Sequence, residues 1–130
     1  MTEYKQKRHD FRSDSSYLFL FRKLGEGQAT EAHEWHRSST LNLSAGGAAI
    51  FAGNEKLAPG DFIEFQLVIP GGPVFGIAQV VRILDSGGPS DAVGISLVSV
   101  APRDRDRIAR IVLADGLENR HGKHKKHRTE

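Results

Sequence analysis

Phe62-Ile63-Glu64-Phe65-Gln66-Leu67-Val68-Ile69 is the stretch that decides the fold class, because its apolar residues Ile63, Phe65, Leu67 and Ile69 recur at every second position. That period puts all four on one face of an extended strand. Turn chemistry bounds the strand on both sides, with Pro59-Gly60-Asp61 before it and Pro70-Gly71-Gly72-Pro73 after it. The second cluster predicts a four-residue loop leading into an antiparallel partner over residues 74–84. Farther along, Ser86-Gly87-Gly88-Pro89-Ser90 reverses the chain into a strand over 92–98. Upstream, Tyr17-Leu18-Phe19-Leu20-Phe21 reads as a short strand ending at the turn Gly25-Glu26-Gly27. Two more follow: residues 33–43, with Trp35 as a wall or core group, and a brief strand over 48–51.

Short strands joined by Gly/Pro turns predict an all-β protein, a six-stranded antiparallel barrel that hides its edges by closing. One helix follows them. Pro102 suits its first turn, Ile108, Ile111 and Val112 fall on one stripe, and Asp106 with Arg110 forms an exposed i,i+4 pair. Gly116 is expected to end it. The chain thus divides into a flexible arm over 1–14, a barrel with its C-terminal helix over 15–116, and a basic, His-rich disordered tail over 117–130.

Composition narrows the function classes. A chain of 130 residues has room for one domain with a modest core. It contains no cysteine, which removes disulfides and thiolate metal sites. The polar start and the absence of an 18-residue apolar run argue against a signal peptide and against membrane insertion, so a cytoplasmic location is expected. Net charge is +2, yet residues 118–130 alone carry five Lys/Arg against two Asp/Glu. The body is therefore near neutral, and a general nucleic-acid binder would show a broad basic face instead. A small anionic ligand fits better.

Two polar constellations do not suit a core: Arg8-His9-Asp10-Phe11-Arg12, and Asn42-Leu43-Ser44-Ala45-Gly46-Gly47. The arginine pair offers planar forks that match a phosphate or the O6/N7 edge of guanine, and a guanidinium also lies flat on a purine face. Asn42 brings an amide for a base edge, Ser44 a hydroxyl, and Gly46 and Gly47 allow close backbone approach with exposed N–H groups. Both halves suit a guanine nucleotide.

Taken together, Arg8-x-x-x-Arg12 and Asn42-x-Ser44-x-x-Gly47 resemble the signature of PilZ domains, bacterial receptors for cyclic di-GMP. The resemblance covers roughly residues 5–115. It extends to Val80-Val81-Arg82 and to Val93-Gly94-Ile95-Ser96-Leu97. It implies a PilZ-like barrel whose ligand is cyclic di-GMP, held by Arg8 and Arg12 on the arm and by Asn42, Ser44, Gly46 and Gly47 on the barrel, with Arg82 as a further contact. Lys7 stands where the family selects how many nucleotides bind, and a cation there favours a stacked pair. No cofactor is implied; the expected partners are the dinucleotide and an unidentified downstream protein.

Plainer readings stand beside these. A charged N-terminus often only solubilises the chain, Asn42 to Gly47 has the composition of a β-turn, and Arg82 reads also as a solvated strand residue. Catalysis finds no nucleophile elbow around Ser44 and no paired acid and base, so a non-enzyme is expected. Asp104 and Asp106 alternating with Arg103, Arg105 and Arg107 read as a salt-bridged helix surface. His121, His124 and His127 suit a solvated tail better than a metal site. A barrel that acts as a protein interaction module without nucleotide affinity is the alternative. Binding of RNA or single-stranded DNA is disfavoured, because aromatics do not interleave with Lys/Arg.

Overall fold

The computed structural model describes residue 13 and residues 15–25, 34–53, 55–85 and 91–129, with side chains for all of these but 85 and 118–129. The period-2 segment forms the expected strand Phe62–Ile69. Its residues Ile63, Phe65, Leu67 and Ile69 are all buried, and Phe65 stacks on Phe19 at a centroid distance of 5.4 Å. In chain order the elements are β1 (Leu18–Lys23), β2 (His36–Leu43), β3 (Gly47–Gly53), β4 (Phe62–Ile69), β5 (Gly72–Asp85), β6 (Asp91–Val100) and the helix α1 (Pro102–Thr129). The strands close into a barrel in the order β1-β2-β3-β6-β5-β4. β1 seals it by pairing antiparallel with both β2 and β4.

The core inside is aromatic and aliphatic: Phe19, Phe21, Leu43, Ile50, Phe65 and Val80 meet there with the helix residues Ile108 and Val112. Burying a side chain of this size contributes about 1.5–3 kcal/mol. That term offsets the ordering entropy of the short strands. Two arginines of α1 fasten the helix to the barrel through backbone carbonyls. Arg105 donates from Nη1 to Ala45 O at 3.0 Å and from Nη2 to Leu97 O at 3.2 Å. Arg107 donates to Gly72 O at 2.7 Å and to Pro70 O at 3.2 Å.

Four local readings are corrected. The β4–β5 connection is a two-residue turn, since Ile69 already pairs with Gly72 and Val68 with Pro73. Pro70 followed by Gly71 at φ 95° has the make-up of a type II turn. Pro73 is tolerated because β5 meets β6 only from Gly76 onward, so no ladder bond is lost there. Trp35 is not a core residue. It precedes β2, half-buried, with the Arg22 guanidinium 4.6 Å above its ring. The helix does not stop at Gly116, and its backbone is helical across the segment read as a disordered tail. One interior glycine costs only about 1 kcal/mol, and Leu117 and Glu118 after it are good helix formers. Arg105 binds backbone carbonyls, and Arg107 combines carbonyl bonds with one ion pair of the expected charged surface. Among the described residues the ion pair of α1 is Arg107 with Asp104 at 3.1 Å, not Asp106 with Arg110.

Candidate functional site

Two β-bulges position the site. Inward residues of β5 are Val74, Ala78 and Val80, and strict alternation would turn Arg82 inward as well. Val80 pairs with Ile95 but Arg82 pairs with the very next residue of β6, Gly94, so Val81 is an extra residue. A bulge of this kind resets the phase of the strand. Val81 and Arg82 therefore both face outward, Val81 at 49% exposure. In β2 the same happens at Leu41, since Thr40 pairs with Ile50 and Asn42 with Ala49. Leu41 is exposed, Asn42 is half-buried on the outer face, and Leu43 returns to the core.

The registers of four strands then align in one row. Asn42 pairs with Ala49, Ala49 with Gly94, and Gly94 with Arg82. At about 4.8 Å between neighbouring strands, the backbone positions of Asn42 and Arg82 stand about 14 Å apart along the sheet. Small residues floor the space between them. An open cleft of about 160 Å³ lies over this row, and Asn42, Ser44, Gly47 and Arg82 all border it. Arg82 is the only charged residue among the described lining. Its stem passes over Gly94, where a Cβ would lie 3.5 Å from Arg82 Cγ. A valine or larger side chain at 94 would displace it. The cleft is thus a shallow cationic trough with an amide at one edge, which suits an anion carrying a planar base.

The rim is the β2–β3 turn. Ser44 N donates to Gly47 O at 2.8 Å, and Ser44 Oγ donates to the same carbonyl at 3.2 Å. Gly47 is demanded by space: a Cβ would stand 2.5 Å from Ile95 O of the neighbouring strand. Gly46 is exposed, stays outside the cleft lining, and accepts from Leu97 N at 2.9 Å. Of the residues singled out from sequence, Asn42, Ser44, Gly47 and Arg82 are brought together, and Gly46 stands next to them. Lys7, Arg8 and Arg12 lie outside the described residues.

Ser13 adjoins Arg12 in sequence and is described. It is buried and forms an antiparallel bridge with Leu43, through Ser13 N to Leu43 O at 2.8 Å and Leu43 N to Ser13 O at 2.9 Å. Leu43 lies between Asn42 and Ser44, so the chain reaches the barrel beside the cleft. Ser13 Oγ donates to Asp115 Oδ2 at 2.6 Å, and the Tyr17 hydroxyl donates to the same oxygen. Burial opposes ionisation of Asp115, but the hydrogen bonds from Ser13 and Tyr17 outweigh it and hold the carboxyl below its usual range. Burial, reinforced by Asp115, pushes the Tyr17 hydroxyl up. Sequence reasoning missed Asp115 and Arg105. The available signal was positional: Asp115 lies seven residues after Ile108 and three after Val112, an acid in the apolar stripe of a helix.

The PilZ domain sequence profile matches residues 6–114. The chain belongs to the PilZ domain family. Its fold is shared with the PilZ domain of YcgR from Escherichia coli with c-di-GMP, at 20% identity and a TM-score of 0.67, over 92% of this chain and 99% of that one. The Bacillus subtilis inhibitor of motility MotI/DgrA aligns at 18% identity and a TM-score of 0.71, over 87% of this chain and 53% of that one. The K. pneumonia MrkH–c-di-GMP complex aligns at 19% identity and a TM-score of 0.65, over 87% and 53%. The chain therefore spans about half the length of MotI/DgrA and MrkH. No curated protein matches it in sequence. No helix among the described residues of this PilZ domain is long and apolar enough to cross a membrane.

Proposed function

We propose that this PilZ domain is a cytoplasmic, non-enzymatic receptor for cyclic di-GMP, and that the nucleotide draws its N-terminal arm onto the barrel for a protein partner to read. The observation that carries the reading is the row Asn42–Ala49–Gly94–Arg82 beneath one cleft, with Ser13 joining the barrel at its edge. Arg82 faces phosphate, Asn42 and the Ser44 rim face a guanine edge, and Ala49 and Gly94 leave room for the rings between. The trough, about 160 Å³, is smaller than the roughly 300–1,000 Å³ of small-molecule pockets, so a dinucleotide needs a second wall.

Arg8 and Arg12 supply that wall. Covalent geometry keeps Arg12 Cα within about 3.8 Å of Ser13 Cα, and Arg8 within about 18 Å of it. A micromolar complex needs about −8 kcal/mol, and hydrogen bonds to charged groups contribute roughly 1.5–3 kcal/mol each. Four or five such contacts suffice if the arm's ordering cost, about 1–2 kcal/mol per residue fixed, is confined to a few residues. Ser13, already bridged, keeps that number small. Support from relatives is chemical: the YcgR PilZ domain and MrkH are each described with c-di-GMP.

The test is calorimetric titration of the chain with cyclic di-GMP, GTP and an oligonucleotide at two salt concentrations. Saturable binding of the first alone is expected. Binding of the oligonucleotide with a steep salt slope refutes the reading in favour of a nucleic-acid binder, and no binding refutes it in favour of a protein interaction module.

A further inference from the structure

We infer that Arg105 and Asp115 of α1 are positioning residues that hold the two halves of the nucleotide site in register, the glycine rim and the root of the arm. The inference rests on the cyclic di-GMP reading and adds to it the part played by the helix.

At 100° per residue, positions 105, 108, 112 and 115 fall within an arc of about 80°. One face of α1 therefore carries all four. Ile108 and Val112, at 0% and 2% exposure, seat that face in the core. The polar residues flank them and reach opposite parts of the site. Arg105 ties Ala45 O, in the turn after Ser44, to Leu97 O of β6, and Leu97 N in turn holds Gly46 O. Ten residues on, Asp115 Oδ2 accepts from Ser13 and Tyr17 on either side of the segment that enters the barrel. A shift of the helix would strip donors from the rim and acceptors from the arm root together. By linkage, a ligand that fixes rim and arm must also fix the helix.

The same helix contains its own control. Arg107 makes equally short bonds to Gly72 O and Pro70 O, but that turn lies at the opposite end of β5 from Val81 and Arg82. Removing Arg107 loosens the helix without touching either half of the site. A merely structural role for Arg105 and Asp115 predicts that all three variants behave alike.

The experiment titrates cyclic di-GMP into the full chain and into Arg105→Ala, Asp115→Ala, Asp115→Asn and Arg107→Ala, with Tm measured for each. The first two should lose about tenfold in affinity, toward the lower end of the usual 5–150-fold range of coupling between sites. Arg107→Ala should stay within about twofold of the parent despite a lowered Tm. Asp115→Asn should recover most of the loss, because its amide oxygen can accept from the same two hydroxyls. Equal losses for Arg107→Ala and Arg105→Ala, or parental affinity in Arg105→Ala, overturn the inference while the receptor reading stands. Should Arg105→Ala or Asp115→Ala fail to fold, hydrogen exchange in the parent decides. Slower exchange of α1 amides at nucleotide saturation supports the coupling, and unchanged exchange refutes it. A parent that binds no nucleotide refutes both readings.

Discussion

Substituting Gly47 by alanine should damage this domain far more than the same change one residue earlier, although the two glycines are adjacent in sequence. The reason is a close approach between strands. A Cβ on Gly47 would stand 2.5 Å from Ile95 O, roughly 0.9 Å short of ordinary contact, whereas a Cβ on Gly46 meets nothing within 4 Å. The obstacle is a backbone carbonyl of β6, which is paired on both sides by β3 and β5, so it cannot swing aside as a side chain would. Relief requires β3 to move away from β6 at the pair Gly47–Ser96, which loosens the turn that presents Ser44. Overpacking of this kind costs about 1–3 kcal/mol. For a domain of this size that corresponds to a drop in Tm of about 5–15 °C. Gly46→Ala should leave Tm unchanged or raise it slightly, since alanine narrows the unfolded ensemble by about 0.4–1 kcal/mol. Thermal unfolding followed by circular dichroism measures both. Equal Tm values for the two variants, or a Gly47→Ala protein as stable as the parent, would refute the steric argument and leave a ligand role as the sole reason for Gly47.

Arg8→Ala and Arg12→Ala should each abolish most cyclic di-GMP binding in calorimetry while Tm of the free protein stays nearly constant; a large stability loss would assign these residues to the fold. Arg82→Ala removes the one cation of the described cleft lining and should weaken binding about tenfold, with a flatter salt dependence. Parental affinity in that variant would exclude Arg82 from the site. Stability should also depend on the Asp115 network at both ends of the pH scale. Asp115 ionises below its ordinary 3.8 in the folded state, so its contribution is present above that value and disappears as pH falls through the folded pKa. Tyr17 is raised above 10.0, so its contribution holds below that pH and disappears as pH rises through the folded value. Measured as Tm against pH, Asp115→Asn should flatten the acid limb; an unaltered acid limb would remove the network from the stability of the fold.

Legibility differed sharply between the two halves of the problem. The β4 pattern and the Gly/Pro turns located every strand to within a few residues, and Phe62–Ile69 matched at both ends. Of the eight residues the sequence singles out, Asn42, Ser44, Gly47 and Arg82 border one cleft. Arg105 is not among the eight, because a guanidinium that binds two main-chain carbonyls looks in sequence like any other member of an alternating charge run. Asp115 stands outside that run, between Ala114 and Gly116, and its place in the apolar stripe of α1 is the signal that distinguishes it from a surface acid.

What the amino-acid order determines by itself is local: a two-residue period makes strands, glycine and proline end them, and burial of the aromatic face follows wherever those strands meet. Only the assembled sheet decides which side Arg82 and Leu41 take, because each bulge is a mismatch in count between two paired strands, β2 with β3 and β5 with β6, that exists only once they are set in register. No periodicity within either strand encodes it. The same holds for the helix, whose fasteners at 105 and 115 acquire their partners only when the turn at Ala45 and the bridge at Ser13 are brought beneath it.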